Sequence, residues 1–104
     1  NKDKSNNNFS EVLKFIADNI NKPINLISLA NNFGYTKNYF SMLFNKYTGM
    51  HIREYISRQR IEAIEKKVKE NPEIPVTRLA LDCGFNSLNT YYRALALYKK
   101  NRNY

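Results

Sequence analysis

With 104 residues, 42% of them hydrophobic and 25% charged, the chain is long enough for one compact core and too apolar to be disordered throughout. Seventeen Lys and Arg against nine Asp and Glu leave a formal net charge of +8, which favours a polyanionic partner, nucleic acid or an acidic membrane surface. No apolar run approaches the roughly 20 residues of a membrane helix, no Cys/His cluster has metal-ligand spacing, and the lone Cys83 cannot form an intrachain disulfide, so the chain reads as a cytoplasmic protein without a cofactor.

Residues 1–8, NKDKSNNN, are polar and are expected to form a disordered leader or the end of a linker. Over 9–20 the apolar positions Phe9, Val12, Leu13, Phe15, Ile16 and Ile20 recur at helical spacing, and Pro23 disfavours continuation. Asn25 stands as the N-cap of a short second helix over about 26–33, closed by Gly34. Thr36 then caps a third helix, 36–48, with Tyr39, Phe40, Leu43, Phe44 and Tyr47 on one side and Gly49 at its end. Residues 51–70 hold neither Gly nor Pro and align Ile52, Tyr55, Ile56, Ile61, Ile64 and Val68, which predicts the longest helix, with Glu62 and Glu65 four residues ahead of Lys66 and Lys69. After the break at 71–75, Val76, Leu79, Ala80 and Cys83 predict a short helix ending at Gly84. Asn86 or Ser87 caps a last one, 87–98, through Tyr91, Leu95 and Tyr98.

The pattern occurs twice. Leu29-Ala30 with Gly34-Tyr35 lies 50 residues before Leu79-Ala80 with Gly84-Phe85, and Phe40 and Phe44 answer to Tyr91 and Leu95. The predicted architecture is therefore all-α: a helix-turn-helix lobe at 9–50, a linker helix at 51–70 and a second lobe at 71–104.

The second helix of such a unit can enter a DNA major groove, so the informative residues are those the core leaves free. They are Lys37, Asn38, Ser41, Met42, Asn45 and Lys46 in the first copy, and Leu88, Asn89, Thr90, Tyr92, Arg93 and Ala96 in the second. Neither set contains a carboxylate that would face the phosphates. Asn suits adenine, Arg guanine and Ser or Thr either, while Met42 and Leu88 suit thymine methyls. A linker helix of roughly 30 Å approaches the roughly 34 Å between successive major-groove turns. No carboxylate pair, nucleophile-base set or glycine-rich phosphate loop argues for an enzyme.

Over about 12–95 the chain resembles the AraC/XylS family of bacterial transcription regulators. The motifs are ISLANNFGYTKNYFSMLFNKYTG, IREYISRQRIEAI and VTRLALDCGFNSLNTYYRAL, the last of the form apolar-Ala-x-x-x-Gly-Phe-x-Ser. The resemblance implies a two-lobed helical domain that binds double-stranded promoter DNA through one recognition helix per lobe. It further implies RNA polymerase as a partner and a sensing or dimerising domain upstream in a longer protein, with a complete short regulator as the alternative. It implies base reading by Asn38, Ser41 and Met42 in the first lobe and by Leu88, Asn89, Thr90 and Arg93 in the second. Thr36, Lys37, Lys46 and Tyr92 are placed for phosphates, and the basic residues Lys99, Lys100 and Arg102 for the DNA backbone. Arg60 matches a recurrent Arg of the linker helix, where an internal ion pair or hydrogen bond is favoured over a DNA contact. Gly34 and Gly84 serve the turns, Cys83 is expected to be buried, and His51 to be solvated or phosphate-facing.

The resemblance weakens at the end, where Leu95 replaces an aromatic, Leu97 takes a basic position and the family's closing helix has no counterpart. The second lobe is accordingly expected to be the less stable. A second reading remains open, in which exposed Leu95, Leu97 and Tyr98 serve dimerisation or a protein partner and DNA binding is weak and non-specific.

Overall fold

The computed structural model describes the backbone of residues 2–102 and the side chains of residues 9–101. Among these the chain forms six helices and no strand: α1 (Lys2–Asp18), α2 (Leu26–Asn32), α3 (Lys37–Thr48), α4 (Ile52–Glu70), α5 (Val76–Asp82) and α6 (Leu88–Arg102). Two of them outrun the sequence expectation. The polar residues assigned to a disordered leader continue α1 back to Lys2, and α6 passes Tyr98 to reach Arg102. Neither extension contains Gly or Pro, so nothing interrupts the hydrogen-bond ladder once the neighbouring turns are anchored by packing.

The first core gathers Phe9, Val12 and Ile16 of α1, Leu29 and Ala30 of α2, Phe40, Leu43 and Phe44 of α3, and Ile52 and Ile56 of α4. Its rings interlock: Phe9 stacks on Tyr47 with centroids 4.7 Å apart, and Phe44 meets the edge of Tyr55 at 5.2 Å. The second core holds Ile61 and Ile64 of α4, Leu79 and Ala80 of α5, Cys83 and Phe85 of the turn, and Tyr91 and Tyr98 of α6. Thus α4 is not a free-standing linker, since its first half completes one lobe and its second half the other. Its apolar stripe ends at Ile64, and Val68 is exposed.

The lobes are unequal because α1 covers the first core, and no described helix does the same for the second. Leu95 is only half-buried against that core. Burial pushes the Cys83 thiol above its ordinary value, with Lys67 opposing and Asp82 adding to the rise, so the thiol stays protonated and inert. The ion pairs Arg58–Glu62 at 3.9 Å and Arg78–Asp82 at 3.8 Å are exposed and contribute little. Glu62 pairs back to Arg58 rather than forward to Lys66.

The two turns close alike. Tyr35 N–H donates to the Ala30 carbonyl at 2.9 Å and Phe85 N–H to the Ala80 carbonyl at 3.2 Å, each across a glycine at positive φ. Their surroundings differ. A Cβ on Gly34 meets nothing within 4 Å, whereas one on Gly84 collides with the Ile20 carbonyl oxygen and comes within 2.6 Å of Arg60 Nε. Gly34→Ala is therefore expected to cost about 1–2 kcal/mol, the left-handed penalty alone, and Gly84→Ala upwards of about 3 kcal/mol. Urea denaturation of both variants checks this, and equal losses would refute the tight contact at Gly84.

Candidate nucleic-acid interface

Both outward-facing helices are started by side-chain caps. Thr36 Oγ1 accepts from Tyr39 N–H at 3.3 Å, ahead of α3. Ahead of α6, Ser87 Oγ accepts from Thr90 N–H at 3.2 Å and lies 2.9 Å from Thr90 Oγ1. These hydroxyls satisfy donors that the first helical turn leaves orphaned. α3 is braced from behind by α2, itself capped where Asn25 Oδ1 accepts from Ser28 N–H at 3.1 Å.

With Phe40, Leu43 and Phe44 buried, α3 turns Lys37, Asn38, Met42, Asn45 and Lys46 to solvent, while Ser41 is half-buried. Met42 is 56% exposed, which its place in no core explains. In α6 the buried residues are Tyr91 and Tyr98, and Asn89, Thr90, Tyr92, Arg93, Lys99 and Lys100 are exposed. Leu88 departs from the expected open face, because it is half-buried and packs against the second core. The apolar patch expected of the interaction reading is also reduced. Tyr98 is 8% exposed and has Arg58 5.7 Å above its ring, Leu95 is half-buried, and Leu97 alone stays open at 49%.

None of the nine acidic residues lies on α3 or α6, which carry Lys37, Lys46, Arg93, Lys99 and Lys100. The two helices therefore offer a field of one sign to an approaching anion. Arg60 stands apart from it. Its Nε donates to the Ile20 carbonyl and its Nη2 to the Lys22 carbonyl, both at 2.9 Å, and its guanidinium lies 5.9 Å from the Phe85 centroid. Burial pulls its pKa below the ordinary arginine value. His51 is the exposed N-cap residue of α4 and makes no side-chain cap bond. Sequence reading passed over Arg53, which borders clefts shared with both outward-facing helices. Its signal was the spacing Arg53, Ser57, Arg60, one face of α4. Among the described residues no His, Cys, Asp and Glu group is arranged to hold a metal, and no helix is long and apolar enough to cross a membrane.

Residues 29–100 match the family model described as a helix-turn-helix domain. Over 87 residues the chain is 33% identical to multiple antibiotic resistance protein MarA of Escherichia coli K12, covering 84% of this chain and 68% of that one. A transcriptional regulator from Chromobacterium violaceum with an AraC-type DNA-binding domain shares its fold at a TM-score of 0.75, with 20% identity over 96% of this chain and 86% of the other. The chain belongs to the AraC family. Other relatives of this AraC-type domain include the HTH-type transcriptional activator AarP of Providencia stuartii, 32% identical over 89 residues, which are 86% of this chain and 65% of that protein. The regulatory protein SoxS of Salmonella typhimurium is 30% identical over 84 residues, 79% of this chain and 76% of SoxS. Membership makes the chain a DNA-binding transcription regulator rather than an enzyme.

Because the Thr36 hydroxyl is engaged in holding α3, Thr36→Ala is expected to lower stability by about 1 kcal/mol and Thr36→Ser to retain it. Thermal unfolding of the two variants provides the check, and an unchanged midpoint for Thr36→Ala would remove the capping role.

Proposed function

We propose that the AraC-type domain binds specific sequences in double-stranded promoter DNA by laying α3 and α6 in successive segments of major groove. The carrying observation is the pair of capped, carboxylate-free, cationic helix faces joined by one helix that belongs to both cores. At 19 residues α4 extends roughly 28 Å, close to the roughly 34 Å that separates groove turns on one side of a duplex.

In this reading Asn38, Ser41 and Met42 from α3, and Asn89, Thr90 and Arg93 from α6, read base edges, with Leu88 adding only its uncovered side. Asn38 and Asn89 suit the N6 and N7 positions of adenine, Arg93 the O6 and N7 of guanine, and the exposed Met42 a thymine methyl. Lys37, Lys46, Tyr92, Lys99 and Lys100 contact phosphates, with Thr36 beside them at the start of α3. The domain works in the cytoplasm, where promoter DNA lies, and RNA polymerase is the partner through which such binding changes transcription.

Selection from a random duplex pool tests the proposal, since specific binding is expected to exceed non-specific binding by about a thousandfold or more. Asn38→Ala and Arg93→Ala are each expected to lose about 1–3 kcal/mol at particular base pairs. Lys46→Ala is expected to weaken all sequences alike and reduce the salt slope by about 1. Unchanged selectivity in both Asn38→Ala and Arg93→Ala would refute the base-reading assignment.

A further inference from the structure

We infer that Arg53 clamps a backbone phosphate of the DNA segment lying between the two major-groove contacts, a role that rests on the two-groove reading. Arg53 is exposed on the first half of α4 and makes no hydrogen bond or ion pair with any described residue. On one side it borders a cleft of about 460 Å³ shared with Lys37 and Ser41 of α3. On the other it borders a cleft of about 370 Å³ shared with Asn86 and Thr90 at the start of α6. It thus borders a cleft beside each of the two recognition helices.

The charges around it point to an anion. Neither cleft is lined by a carboxylate, and the other cationic side chain is Lys37 in the first and Arg60 in the second. Glu54, the neighbouring acid on α4, accepts from Asn101 Nδ2 at 3.4 Å and lies instead toward the far end of α6. Arg60, on the same face of α4, is committed to the Ile20 and Lys22 carbonyls, which leaves Arg53 as the guanidinium available for a ligand. In the two-groove reading a duplex reaching from one reader to the other carries its intervening phosphates past this part of α4, and a guanidinium fork matches a phosphate through two parallel hydrogen bonds. The contact carries no base information. It fixes how the duplex lies between the readers.

The test is fluorescence anisotropy with the intact chain and three kinds of DNA: the full duplex recovered by selection, the same duplex with neutral methylphosphonates at its central phosphates, and short duplexes carrying either half-site alone. Arg53→Ala is expected to bind the full duplex about tenfold more weakly, with a salt slope lower by about 1, and to bind each half-site as wild type does. Neutral central phosphates are expected to cost wild type about tenfold and to cost Arg53→Ala nothing further, while Arg53→Lys restores part of the loss. Circular dichroism of Arg53→Ala is expected to match wild type, because the side chain is exposed and belongs to neither core. If Arg53→Ala weakens half-site binding equally, or still responds to the neutral centre, the assignment of Arg53 is overturned while the two-groove reading stands. If the wild-type chain selects no duplex, the underlying reading falls and the clamp with it, a result visible in the wild-type arm before any variant is compared.

Discussion

The Arg60 guanidinium reaches from the middle of α4 to the loop after α1, where Nε and Nη2 donate to the Ile20 and Lys22 carbonyls, and lies against Phe85 in the turn of the second lobe. One side chain thereby ties three segments together. Each hydrogen bond from a charged donor contributes about 1.5–3 kcal/mol, set against the desolvation that pulls the arginine pKa down. The fork needs two donors held in fixed directions, which Arg provides and Lys does not. Gly84 follows from the same contact, since any Cβ there would occupy the space of the guanidinium and the Ile20 carbonyl.

With the lobes tied at that point, their relative orientation is set by the rigid α4 and by the depth of its insertion into each core. Ile52 and Ile56 seat its first half in one lobe, and Ile61 and Ile64 seat its second half in the other. The duplicated turns then present α3 and α6 from equivalent frames. The copies differ in what supports them: α1 lies across the first core, while the second depends on Tyr98 and a half-buried Leu95. The proposed DNA reading uses the faces that neither core needs, and those faces are free of carboxylates because every acidic residue lies elsewhere in the chain.

Much of the fold was legible in the sequence because helices at this scale are written in local signals. Asn25, Thr36 and Ser87 mark starts, Gly34, Gly49 and Gly84 mark ends, and the apolar spacing within each run shows which side turns inward. Polarity misled at 2–8 and beyond Tyr98, since polar residues without a breaker extend a helix as readily as they leave it. The half-burial of Leu88 depends on how α6 rolls against α5, a tertiary choice that periodicity leaves open within one position. The same limit hid the partners of Arg60, which are backbone carbonyls about 40 residues away and carry no side-chain signature. Arg53 was missed for a related reason: its place between α3 and α6 exists only after the lobes are docked.

In the proposed mode of binding one rigid frame presents both recognition helices to DNA at a fixed separation. Affinity measured against half-site spacing addresses it directly, by inserting about five base pairs, half a helical turn, between the two contacted segments of the selected duplex. Binding is expected to fall to the level of a single half-site. Affinity indifferent to the insertion would contradict it.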